Sequence, residues 1–90
     1  MDKLDEYAER LDPLRRAYQA DFIALEASWV SRRQAVIDRV EDTVPGAELA
    51  HDGLIEFLSA PIDRAHDRAV TDLFEAYQRN ADQLRREVGL

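Results

Sequence analysis

The chain has 90 residues, 34% of them charged and 46% hydrophobic, with 12 basic and 19 acidic side chains for a formal net charge of −7 and no cysteine. That length allows one domain, residues 1–90, with a small core, since a chain of this size buries only roughly 60 to 65% of the surface its unfolded form exposes. The composition excludes disulfides and sulfur-ligated zinc, and a net-acidic chain repels phosphate backbones, which argues against nucleic acid as a partner.

The N-terminus MDKLDEYAERLD is acidic and lacks the apolar stretch of a secretory signal. Nor does any apolar run approach the roughly 20 residues of a membrane span, so the expectation is a cytoplasmic protein without a membrane partner. Leu4, Tyr7, Leu11, Leu14 and Tyr18 recur at spacings of three and four, the stripe of a helix. Pro13 interrupts that stripe, and Asp12-Pro13 reads as an N-cap followed by a first helical residue. The spacing predicts a short helix over about 2–11, a break, and a new helix from Pro13.

The stripe continues through Phe22, Leu25, Trp29, Val36 and Val40, while Ile23, Ala27, Val30 and Ile37 form a second one beside it. Seven of the nine residues in FIALEASWV, Phe22 to Val30, are apolar. Two adjacent stripes make a face wider than one neighbouring helix can cover. Trp29, the only tryptophan, is expected in the core. The helix is predicted over about 13–42, ending at Val44-Pro45-Gly46, where Pro and Gly fit the central positions of a type II turn.

Residues 41–63 hold six acids and no base. Within them AELAHDGLIEFL predicts a short amphipathic helix at about 47–58, weakened by Gly53. Its cluster Leu54, Ile55, Glu56, Phe57 and Leu58, with Asp52 and Glu48 nearby, reads either as ordinary core folded back on FIALEASWV or as an acidic-rimmed hydrophobic patch for a partner protein with a basic surface. Helical geometry allows Leu54 and Leu58 to bury while Ile55 stays outside. Ser59 reads as a helix-start residue and Pro61 as the first residue of a second long helix, about 61–88, stopped by Gly89. Val70, Leu73, Tyr77, Asn80, Leu84 and Val88 follow the three-and-four alternation of a coiled-coil seam.

The expected fold is therefore all-α: an antiparallel hairpin of two long helices with short helices at about 2–11 and 47–58, completing a four-helix bundle as a homodimer. Its core or dimer seam comprises Phe22, Leu25, Trp29, Leu73, Tyr77, Asn80 and Leu84. Asn80 in that seam would fix register, unless Ala76, Tyr77 and Ala81 turn the face enough to expose it.

Chemistry-bearing patterns are weak. Glu48-x-x-His51 and Asp63-x-x-His66 each place a carboxylate and an imidazole on one helical face, with Glu26 and Glu75 as further donors, the pattern of a carboxylate-histidine metal bundle. Both histidines nevertheless sit among charged neighbours and read as solvated. Ser28, Ser31 and Ser59 lack a nucleophile elbow, and the three glycines are isolated, so neither hydrolysis nor nucleotide binding is indicated. The pairs Arg15-Arg16, Arg32-Arg33 and Arg85-Arg86 are flanked by acids. These features predict a protein–protein interaction module (an adaptor, chaperone, inhibitor or regulator) with no catalysis, no metal and no cofactor. The metal-binding bundle, as an oxidase or metal store, and a nucleic-acid-binding regulator are the alternatives.

Overall fold

The computed structural model describes residues 2–43 and 48–90, leaving aside the side chains of residues 48–51. Helix α1 spans Lys3–Thr43 and helix α2 spans Glu48–Val88. The protein is all-helical, and each predicted short helix turns out to be the first part of a long one. The turn expected at Val44-Pro45-Gly46 lies outside the described residues.

Pro13 and Pro61 both sit inside helices, which corrects the breaks predicted at those points. A proline within a helix removes one hydrogen bond, whereas a full break orphans up to four N–H and four C=O groups. Both prolines are exposed, with room for their rings on the solvent side. Asp12, freed from capping, accepts from Arg15 and lies beside Arg16, both at 2.8 Å. Ser59 is likewise no helix start: it lies inside α2 and is fully buried.

The ends follow ordinary capping rules. Asp2 Oδ1 accepts from the Leu4 amide at 3.4 Å, with Asp5 and Glu6 in the positively polarised first turn. At the other end Gly89 takes φ 89°, a left-handed conformation open to glycine, and ends α2 as the sequence predicts. The Leu90 amide donates to the Arg85 carbonyl and that of Gly89 to Arg86, satisfying carbonyls the helix end leaves free.

The chain divides into two compact units, each pairing one segment of α1 with one of α2: residues 1–24 with 70–90, and 25–69. In the first, Lys3 reaches the Gly89 carbonyl, Arg10 reaches Glu87 at 3.1 Å, and Tyr18 packs tilted against Tyr77 with ring centroids 4.9 Å apart. In the second, Arg33 spans to Asp63 and Glu56. Contacts that run up one helix and down the other make both pairings antiparallel, as a helical hairpin requires.

Two helices bury only the stripe where they meet. Among the described residues Val40, Leu84 and Val88 are the buried large apolar ones, while Leu11, Leu14, Leu25, Trp29, Val36, Leu73 and Tyr77 are half-buried. The second stripe of α1 stays largely in water, with Ile23 and Val30 exposed. The wide face around Phe22 to Val30 is thus covered on one stripe and open on the other, and among the described residues no separate short helix lies over it.

Ser59 carries a defect. Its Oγ is buried without a hydrogen-bond partner, and a desolvated, unpaired hydroxyl is unfavourable. Ser59→Ala removes that atom and improves helix propensity. Urea unfolding followed by far-UV circular dichroism is expected to show a gain of about 1 kcal/mol; a loss would mean that the hydroxyl has a role in the fold.

Candidate interaction surfaces

Three side-chain constellations stand on this frame. The first is a polar clamp in the unit formed by residues 25–69. On α1, Glu26, Trp29 and Arg33 are spaced three and four apart and share a face; on α2, Glu56, Asp63 and His66 do the same at seven and three. The Trp29 indole N–H donates to Asp63 Oδ1 at 2.8 Å, and Arg33 Nη1 donates to Asp63 Oδ2 at 2.7 Å. Arg33 Nη2 also reaches Glu56 at 3.2 Å. His66 stacks on Trp29 with centroids 4.8 Å apart and planes 14° off parallel, and its Nε2 lies 2.8 Å from Glu26 Oε1. Arg33 lies over the indole, 5.8 Å from its centroid.

The Trp29 hydrogen bond and then that of Arg33 hold the Asp63 carboxyl below its usual pKa. The hydrogen bond to Asp63 and then that to Glu56 push Arg33 up. Both Asp63 oxygens accept from partners within the fold, so this residue fastens α1 to α2. Glu26 and His66, two of the donors suggested for a metal, do meet. Asp63 instead faces Trp29 and Arg33, and among the described residues no group of three or more His, Asp or Glu side chains converges. His51 and Glu48 have side chains outside the described residues. Beside the clamp, a cleft of about 200 Å³ opens between Leu25, Trp29 and Arg32 of α1 and Ile62, Ala65 and Ala69 of α2. It is smaller than the roughly 300–1,000 Å³ of most small-molecule sites.

The second constellation is near the start of α2. Leu54 and Leu58 line a groove of about 230 Å³ with Arg39, Val40 and Thr43 of α1. Phe57 stands 76% exposed and Leu58 41% exposed, whereas Leu54 and Ile55 are half-buried. This corrects part of the expected arrangement: Leu54 is half-buried as expected, but Ile55 is half-buried too and Leu58 is exposed. Glu41, Asp42, Asp52 and Glu56 are exposed around it.

The third is an aromatic group in the unit of residues 1–24 and 70–90. Tyr18 contacts Phe22, Phe74 and Tyr77, with centroids 6.3, 6.4 and 4.9 Å away. Ile23 and Phe74 remain 67% and 46% exposed at its edge. Of the predicted seam, Leu84 is buried, Phe22, Leu25, Trp29, Leu73 and Tyr77 are half-buried, and Asn80 is exposed. Asn80 lines a groove with Arg10, Leu14 and Gln83. Ala76, Tyr77 and Ala81 take the half-buried positions around it, so within the chain Asn80 fixes no register.

Sequence reasoning missed Phe74 and the Trp29–Asp63–Arg33 clamp. A signal existed for the clamp, in the three-and-four spacing of Glu26, Trp29 and Arg33. Phe74 lies one position from seam residue Leu73 and carried none. Among the described residues no helix is long and apolar enough to cross a membrane. A scan of protein-family models finds none that matches the chain, and searches of curated proteins and of solved structures return no match.

Proposed function

We propose that the chain is a protein–protein interaction module that works by binding in the cytoplasm, catalyses nothing itself and pairs with a second copy as a four-helix bundle. Its partner is a protein offering a basic amphipathic helix, which lays its apolar side on Phe57 and Leu58 and its bases against Glu41, Asp42 and Asp52. The observation that carries this is Phe57: a large aromatic side chain held 76% in water within an acidic stretch. A helix-in-groove contact uses such anchors, and opposite charge speeds encounter. The commitment of Arg15, Arg16 and Arg33 to acids of the same chain supports a protein partner over a phosphate backbone.

A synthetic helical peptide with leucines on one face and Lys/Arg on the other is the probe. Fluorescence anisotropy at low salt is expected to show binding that weakens as salt rises. Phe57→Asp should weaken it about tenfold or more, since burying one such side chain contributes about 1.5–3 kcal/mol. The same substitution should leave the melting temperature nearly unchanged, because Phe57 makes little use of the fold. Equal affinity of the variant, or equal binding of a peptide with the same charges but no apolar face, would overturn this assignment. Ile55 is less informative, because its half-burial mixes folding with binding.

A further inference from the structure

We infer that the aromatic edge formed by Tyr18, Phe22, Ile23 and Phe74 is the surface that receives a second copy of this chain. This rests on the reading of the chain as an interaction module and assigns self-association to the unit of residues 1–24 and 70–90.

Exposure favours it. Ile23 and Phe74, both large and apolar, stand 67% and 46% in water beside the half-buried Tyr18 and Phe22. A two-helix fold leaves this surface open because each helix has only one neighbour, and a second hairpin supplies the missing two.

Charge selects the occupant. Around the patch α1 carries Asp12 and Asp21 against Arg15 and Arg16, both held by Asp12, and residues 70–79 of α2 carry Asp72 and Glu75 against Arg79, so this surface is close to neutral and does not repel its own copy. The Phe57 region, in a segment of −6, would repel its own copy. Tyr18, Gln19, Phe22 and Ile23 line a groove of about 300 Å³, with Phe74 packed on Tyr18, which a side chain of the second copy can enter.

The test uses the full chain. Light scattering after gel filtration should give twice 10.3 kDa for the natural sequence. Ile23→Asp and Phe74→Asp should each weaken dimerisation at least a hundredfold, because every dimer loses the residue twice. The chain has no cysteine, so Ala17→Cys, exposed on α1 and outside that groove, accepts a single spin label. Dipolar spectroscopy should then find the two labels within about 30 Å, since packed helices lie 8–10 Å apart. That reading holds even if an Asp variant fails to fold. A monomer at ~100 µM, where micromolar dimers are formed, or a dimer indifferent to both Asp variants, or labels farther apart, would overturn the assignment. A monomer would also remove the four-helix pairing from the proposed function, whereas peptide capture by the Phe57 region, measured separately, tests the partner-binding reading by itself.

Discussion

Trp29→Ala is expected to be the most damaging substitution in α1, lowering stability by about 3 kcal/mol, the low end for removing a large aromatic because Trp29 is half-buried rather than enclosed. For a 90-residue chain whose total stability is on the order of 5–13 kcal/mol, that is a large fraction. The loss exceeds the ring's own packing. Asp63 loses an indole donor, His66 loses the face it stacks on, and Arg33 loses the aromatic beneath it. Trp29→Phe separates the contributions, because it keeps an aromatic surface while deleting the N–H. Urea midpoints read by far-UV circular dichroism should fall in the order natural, Phe, Ala. An Ala variant as stable as the natural chain would show that the clamp does not hold the helices together.

The consequences for binding are distinct from those for folding. Phe57 and Ile23 are exposed, so their substitution tests surfaces, while Trp29 and Asp63 are shared between helices and test the frame. A chain whose apolar residues are divided in this way needs few of them for its own fold. The remainder stays available to other chains.

Helix content, the antiparallel pairing and the stop at Gly89 were legible because three-and-four periodicity and a left-handed glycine are local signals. The excess width of the Phe22 to Val30 face was legible for the same reason, and it persists in the structure as exposed Ile23 and Val30. The continuity of both helices through Pro13 and Pro61 was not. A proline's local preference argues for a break, but the balance depends on how many backbone groups a break would orphan and whether the ring points to solvent. The rotation of α2 was hidden too: Leu54, Ile55, Phe57 and Leu58 offer several apolar faces, and only the position of α1 decides that Ile55 is half-buried and Leu58 exposed. The clamp combines residues more than 30 positions apart, such as Trp29 and Asp63, whose meeting requires the register of the two helices.

That clamp gives the fold a predictable response to acid. In the folded chain Asp63 titrates below the usual carboxylate range, chiefly because the Trp29 N–H and Arg33 hydrogen-bond its ionised form. The unfolded chain, with Asp63 near the ordinary ~3.9, takes up the proton first as pH falls. The contribution of Asp63 is therefore fully present above about pH 4 and is lost as pH falls through its lower folded pKa. Arg33 keeps its charge throughout that range and does not offset the loss. Asp12, lowered chiefly by the Arg15 hydrogen bond, responds in the same window, but its partners lie on its own helix. Asp63→Asn should thus reduce stability at pH 7 more than Asp12→Asn does, because only Asp63 ties α1 to α2. It should also flatten the fall in urea midpoint between about pH 4 and pH 2. If Asp63→Asn keeps the acid profile of the natural chain, the carboxylate is not the group that couples protonation to the separation of the helices.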